Sequence, residues 1–146
     1  MNHIEYIKIV EEKIAQNGHI IQSVMDKRST VYTVGAAHDG NVEYIILGLP
    51  SEVAADVLNA TVKITRENNL FIGDISGILS KNYQARLRKI RYTTFRDAAE
   101  IAARYHDKHE MRNVVAIQII LPDKNGNFPG HSAYSMGKQY FFPGDE

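Results

Sequence analysis

The sequence predicts a single α+β domain in which helices pack on a mixed or mostly antiparallel sheet. Helical and strand patterns follow one another in the order α-β-β-β-α-β-β-α-β, and short turns of the hairpin type join several of the strands. A length of 146 residues fits one hydrophobic core, and neither a repeat nor a change of composition divides the chain. These observations do not fit a doubly wound parallel fold.

The first predicted element is an amphipathic helix. Its apolar positions recur at spacings of three and four, at Ile4, Ile7, Val10 and Ile14. Asn2 is expected to cap this helix, and Gly18 is expected to end it. Its apolar stripe needs a covering surface, and seventeen basic residues balance seventeen acidic ones. We therefore expect a homo-oligomer, most simply a dimer.

Three strands are expected next, at His19–Met25, Val31–Ala37 and Val42–Leu49. The third contains an unbroken apolar run, which is typical of a central strand covered on both faces. The segment His38–Asn41 is predicted to be a hairpin turn, because its Asp-Gly pair accepts positive φ. A helix with Ser51 as its N-cap should follow, with an apolar stripe that includes Val53.

The remaining elements are strands at Phe71–Ile78 and Tyr83–Tyr92, a helix capped by Thr94, and a strand at Val114–Leu121. The last strand is apolar on both faces and is predicted to be central. Four basic residues lie in the second strand, at Arg86, Arg88, Lys89 and Arg91. They divide between two strand faces, so nucleic acid is not an expected partner, and an exposed edge strand is the favoured interpretation.

Several classes of function are not expected from this sequence. The chain has no cysteine, which excludes disulfides, thiolate zinc sites and cysteine nucleophiles. His106 and His109 are expected to complement the dipole of a helix C-terminus, so we expect neither a metal nor a cofactor. A membrane span and a signal peptide are not expected, which favours a cytoplasmic protein without a membrane partner.

The candidate ligand-binding residues lie at strand ends and in the long C-terminal segment. They are Tyr32, Thr33, His38, Asp39, Asp123, Lys124 and His131. Turns leave backbone groups unpaired, and one lysine and two histidines can supply positive charge to an anionic ligand. Aromatic residues in the C-terminal segment indicate that it is packed, so we expect the seven residues to converge. The alternative is that they are ordinary strand and turn residues.

Three short motifs, taken in order, resemble one known family. They are Tyr32-Thr33-Val34-Gly35, Gly48-Leu49-Pro50 before a helix, and the segment Leu121–Pro129. This set resembles the DUF4262 family of bacterial and phage proteins. The resemblance implies a domain at residues 19–142, between an N-terminal helix at 1–18 and a tail at 143–146. It implies no particular activity, and Gly130-His131 stands where many members have a tryptophan.

Three functions remain open at this point. The favoured one is binding of a small polar or anionic ligand, such as a nucleotide-derived signal in conflict between phage and host, because no catalytic set is recognisable. A hydrolase or phosphodiesterase would use His38 or His131 in acid–base chemistry, with Asp39 or Asp123 orienting the imidazole. The third is a protein inhibitor or adaptor that acts through its surface.

Overall fold

The protein folds into one six-stranded mixed sheet with helices on both faces. In a computed structural model, residues 2–69, 71–80 and 83–134 are described. The helices are α1 (His3–Asn17), α2 (Ser51–Asn68), α3 (Tyr92–Ala98) and α4 (Glu100–Lys108), with a 3-10 helix at Ala36–His38. The strands are β1 (Ile20–Val24), β2 (Thr30–Val34), β3 (Val42–Ile46), β4 (Gly73–Ser80), β5 (Tyr83–Ile90) and β6 (Val115–Ile120).

The sheet has the strand order β1-β2-β3-β6-β5-β4. Strands β3 and β6 are parallel, whereas the other four neighbouring pairs are antiparallel. The two apolar strands predicted to be central are confirmed in the middle of the sheet, where Ile45 and Ile117 are fully buried. The predicted fold class, an α+β domain with a mixed sheet and packed helices, is therefore confirmed.

Each face of the sheet carries its own hydrophobic core. Helix α2 covers one face, where Leu58 packs among side chains from β3, β5 and β6. Helices α1, α3 and α4 cover the other face, where Phe95 and Val10 are buried against β2 and β3. Residues 43 and 45 of β3 point to this second face, because side chains alternate along a strand.

Helix α1 forms as the sequence predicts. The side chain of Asn2 accepts a hydrogen bond from the backbone N–H of Glu5 at 2.9 Å, and Gly18 follows with φ 87°. Most of its apolar stripe is buried against the chain's own sheet, although Ile4 is 70% exposed. The stripe therefore no longer argues for a second copy, and the oligomeric state stays a prediction.

Four local predictions were wrong. Ser51 is the first residue of α2 rather than its cap, and Val53 is 48% exposed while Ala54 is buried. The helix predicted from Thr94 begins at Tyr92 and is interrupted at Ala99, whose ψ of 63° cannot continue a helix. Strand β5 is not an edge strand, because it pairs with β4 on one side and β6 on the other.

In the part of the chain that the structure describes, none of the helices combines the length and the apolar character needed to span a membrane.

Candidate functional site

A glutamate is buried in the middle of the sheet, inside an otherwise apolar strand. Glu43 of β3 is fully buried, and its carboxylate accepts three hydrogen bonds. The donors are the Thr33 hydroxyl at 2.8 Å, the Gly35 backbone N–H at 2.9 Å and the His106 Nε2 at 2.6 Å. Because a buried carboxylate is costly without partners, these three contacts are what allows a charge at this position.

The backbone opens locally to admit this carboxylate. The β2–β3 ladder pairs Tyr32 with Ile45 and goes no further toward Gly35. At the next position the backbone N–H of Tyr44 donates to the Thr33 hydroxyl at 2.9 Å, which replaces a ladder hydrogen bond. The strands separate where Gly35 turns away with φ 90°, and the Glu43 side chain occupies the opening.

The buried glutamate is one end of a longer chain of hydrogen bonds. His106 of α4 is 1% exposed, and its Nδ1 lies 2.6 Å from the hydroxyl of Tyr92 in α3. A carboxylate can only accept, so Nε2 carries the hydrogen that it donates to Glu43. In a neutral imidazole Nδ1 then accepts from the Tyr92 hydroxyl. We call these three residues the Glu43–His106–Tyr92 chain.

The conformation of Gly35 is required by this arrangement, and its substitution gives a first prediction. Gly35 has φ 90°, and a Cβ atom there would lie 2.9 Å from Cγ2 of the buried Ile14. Cγ2 can move away only by rotation about χ1, which also moves the rest of this buried side chain. We expect Gly35→Ala to lower the free energy of unfolding by about 2–4 kcal/mol, from left-handed strain and overpacking together. Urea unfolding measures this loss.

Gly48→Ala is the matched control for that substitution. Gly48 has φ 88°, but no atom lies within 4 Å of its added Cβ, so only the backbone strain should appear. We expect a loss of about 1–2 kcal/mol for the control. Equal losses at the two positions would show that Ile14 yields and that the close contact has no energetic weight.

A cavity of about 350 Å³ adjoins the Glu43–His106–Tyr92 chain. Its walls are the turn from β5 to α3 and the start of β6, with Lys89, Ile90, Arg91, Tyr92, Thr93, Asn113, Val114, Val115 and Ala116. Tyr92 belongs to both the cavity wall and the buried chain. Ala116, another wall residue, is the register partner of Glu43 in the β3–β6 pair. The cavity therefore lies directly beside the buried charges.

The charged side chains among the described lining residues of this cavity are all basic. Lys89 and Arg91 are basic, and none of its described lining residues is acidic. The Arg91 guanidinium makes no hydrogen bond or ion pair with the residues that the structure describes. By contrast, the groove beside α3 and α4 combines Arg96 and Arg104 with three carboxylates. Of these two depressions, the cavity at Tyr92 is the one suited to an anion.

Burial raises the pKa of the Tyr92 hydroxyl above its ordinary value, against a smaller opposing effect of the Arg96 guanidinium. Arg96 itself is held by Asp107 through two hydrogen bonds of 2.9 and 2.6 Å. Tyr92 therefore keeps its hydrogen at neutral pH and serves as a donor. The raised pKa disfavours the tyrosinate form, so Tyr92 is not expected to act as a nucleophile.

A second set of imidazole contacts lies outside the buried chain. The Nε2 of His38 is 2.5 Å from the hydroxyl of Tyr105, and the ring of Tyr105 lies 4.3 Å from the ring of His109. His109 in turn contacts the carboxylate of Glu11 at 2.9 Å. Burial, with smaller effects of Glu11 and Glu43, raises the pKa of Tyr105. These contacts join α1, α4 and the β2–β3 connection.

Two of the residues predicted for a ligand site are core residues. Tyr32 is 1% exposed, its hydroxyl accepts from the backbone N–H of Ile101 at 3.2 Å, and its ring meets Phe95 edge-on. Thr33 is fully buried, with its hydroxyl shared between Glu43 and the Tyr44 backbone. The polar groups of both side chains are therefore engaged in interior contacts.

The other five residues fall into two separate groups. His38 and Asp39 are exposed and precede β3, where Asp39 pairs with Arg66 at 3.0 Å. Asp123, Lys124 and His131 follow β6. Because β3 and β6 are parallel, residues before one and after the other lie at opposite ends of the sheet. The length of β6 alone separates them by about 17 Å.

The predicted convergence was therefore wrong, for a topological reason. Asp123 is buried, and its Oδ1 accepts from the backbone N–H groups of Asn125 and Asn127, as in a local turn. Lys124 is exposed, and the Nδ1 of His131 accepts from the Ala133 backbone. Residues 135–146, including three aromatics of the predicted packed segment, lie outside the described residues. Whether any of the seven residues binds a ligand stays a prediction.

The two predicted histidine–aspartate pairs are not formed among the described residues. His38 contacts Tyr105, whereas Asp39 contacts Arg66. The His131 ring accepts a backbone hydrogen bond from its own turn. At neither position does the geometry give the hydrolase alternative an imidazole oriented by an aspartate.

The Glu43–His106–Tyr92 chain was missed in the sequence. Glu43 and His106 are 63 residues apart, and His106 was interpreted only as a dipole-complementing residue. The feature of the sequence that could have predicted this chain is Glu43 itself, because a carboxylate in a strand expected to be central must have a buried partner. Within the described ranges, no group of three or more histidine and acidic side chains could hold a metal ion.

Comparison with known proteins gives one result at the level of the family. No curated protein and no solved structure showed a significant match to the chain. The profile of the family described as Domain of unknown function (DUF4262) matches residues 13–135, which begin in the last turns of α1 and include every strand of the sheet. The chain therefore belongs to the DUF4262 family.

Proposed function

We propose that this protein binds a small anionic molecule in the cavity beside Tyr92. The observation that carries the proposal is the Arg91 guanidinium, which has no partner among the described residues and belongs to a cavity without an acidic lining residue among those described. Its volume of about 350 Å³ is in the range of small-molecule sites, which start at roughly 300 Å³.

The polar groups around the cavity suit an oxyanion. Arginine and lysine bind carboxylate, sulfate and phosphate groups through charge-assisted hydrogen bonds. Thr93 and Asn113 add a hydroxyl and an amide that can donate to further oxygen atoms. The phosphate of a nucleotide-derived signal, as expected from the sequence, is one oxyanion of this class. The apolar wall residues Val114 and Val115 would contact a less polar part of the same molecule.

Sodium pyrophosphate is a suitable first probe, with binding followed by calorimetry at low ionic strength. We expect Arg91→Ala to weaken binding about tenfold or more, because a hydrogen bond to a charged group contributes about 1.5–3 kcal/mol. Its folding should be unchanged, because the Arg91 guanidinium has no partner among the described residues.

Lys63→Ala is the charge-matched control. Lys63 is an exposed residue of α2, on the opposite face of the sheet, so its removal changes the net charge equally without touching the cavity. The control should bind pyrophosphate nearly as the parent does. Equal weakening in both variants would mean that only overall charge matters and that this cavity is not the site.

A further inference from the structure

Tyr92 is shared by the cavity wall and the buried hydrogen-bond chain. From this position we infer that the cavity is a proton-coupled site, in which binding of an oxyanion through the Tyr92 hydroxyl brings one proton from solvent onto His106. The inference rests on the proposed function and adds the chemistry by which the ligand is recognised. Its basis is a continuous path from the cavity wall through Tyr92 and His106 to Glu43.

In the free state that we infer, His106 is neutral and the hydrogens in the chain point toward Glu43. The Nε2 of His106, 2.6 Å from the carboxylate, then donates to it, and the Tyr92 hydroxyl, 2.6 Å from Nδ1, donates to that nitrogen. A phenol has one hydrogen to donate, so Tyr92 cannot serve both His106 and a bound oxyanion. Tyr92 lines the cavity and is half-buried, whereas His106 is 1% exposed, so His106 is the acceptor on the interior side of Tyr92.

An oxyanion that takes the Tyr92 hydrogen leaves Nδ1 of His106 as a buried acceptor without a donor. Such a group is costly, by about 1–3 kcal/mol. Protonation of Nδ1 removes this cost, because the new N–H donates to the Tyr92 oxygen. The resulting imidazolium lies 2.6 Å from the Glu43 carboxylate, which balances its charge. One proton is taken up, and no bond other than hydrogen bonds is formed or broken.

The groups that face His106 support this charge state. Glu43 approaches from β3 and Tyr92 from α3, while Tyr105 and Asp107 flank it on α4. The Arg96 guanidinium holds the pKa of Asp107 below its ordinary value, so this carboxylate stays ionised. The buried carboxylate of Glu43 has no cation other than His106 among its described contacts. A protonated His106 therefore has a ready counter-ion.

The coupling between anion binding and proton uptake predicts how affinity changes with pH. The bound state holds one more proton than the free state, so binding strengthens as pH falls and weakens as pH rises. At most, affinity should change about tenfold for each pH unit where uptake is complete. Sulfate is the appropriate probe here, because it does not itself titrate near neutral pH.

Calorimetry with sodium sulfate in buffers of small and large ionisation enthalpy counts the protons taken up. We expect uptake approaching one proton per sulfate for the parent protein, and none for Tyr92→Phe. Tyr6→Phe is the matched control, because its hydroxyl donates to Gln22 on β1 and not to a member of the buried chain. That control should take up as many protons as the parent.

Nitrogen NMR of the His106 ring in the parent protein tests the proton coupling even if Tyr92→Phe binds sulfate too weakly. Saturation with sulfate should convert His106 from neutral imidazole to imidazolium. Binding without this change, or with uptake unaltered in Tyr92→Phe, would overturn the proton coupling and leave the anion site in place. Failure of the parent to bind either sulfate or pyrophosphate would overturn both proposals.

Discussion

Replacing Glu43 with alanine should lower the free energy of unfolding by at least about 3 kcal/mol, because each buried donor left without an acceptor costs about 1–3 kcal/mol. Three donors lose their acceptor at once, namely the Thr33 hydroxyl, the Gly35 N–H and the His106 Nε2–H. All three lie in the interior, where water cannot replace the carboxylate without entering the core. Urea unfolding followed by circular dichroism measures the loss.

Asp74→Ala provides the comparison at the surface. Asp74 also makes two hydrogen bonds to a cationic side chain, Arg86, but 34% of its side chain is exposed. Such pairs contribute about 0–1 kcal/mol, so this variant should be nearly as stable as the parent. A loss of less than about 1 kcal/mol for Glu43→Ala would contradict the account, because it would place Glu43 among solvated carboxylates.

Ile117→Ala should cost about 2–5 kcal/mol, the range for removing a large aliphatic side chain from a core. Ile117 is fully buried in β6, where it packs in the core beneath α2 together with Tyr44 and Leu87 from the neighbouring strands. Each of those strands is fixed by its own hydrogen bonds to β6, so the space cannot close easily. Chemical unfolding at equilibrium gives the value.

Ile72→Ala removes the same atoms from an exposed position. Ile72 is 52% exposed before β4, so its substitution should change stability by no more than about 0.5 kcal/mol. Nearly equal midpoints for the two variants would contradict the central position of β6. Because both substitutions are isoleucine to alanine, the comparison measures how the surroundings change the effect of losing the same atoms.

The fold was predictable where one local pattern decides the outcome. The apolar run around Ile117 can only be a central strand, and Asn2 and Gly18 mark the ends of α1 by their own chemistry. The break between α3 and α4 could not be predicted, because Ala99 is a good helix former and the break depends on packing. The place of β5 in the sheet also depends on pairing with distant β6.

The candidate site was less predictable than the fold because its residues come from distant parts of the sequence. Glu43, Tyr92 and His106 lie on three different elements, and no spacing rule joins them. The seven residues predicted from the sequence lie at strand ends and in the C-terminal segment, and they converge only if these parts share one edge of the sheet. Because β3 and β6 are parallel, His38 and Asp123 lie at opposite ends of the sheet. The parallel direction of β3 and β6 therefore keeps the predicted site residues apart.

The position of β6 has a consequence for biosynthesis. It is the last described strand along the chain, yet it lies between β3 and β5 and is the only described link between them. Strands β1–β3 and the β4–β5 hairpin leave the ribosome first, but they share no hydrogen bonds until residues 115–120 have emerged. During that interval β3 and β5 each present an unpaired edge to other nascent chains, so chaperone contact at those edges is most useful before translation reaches β6.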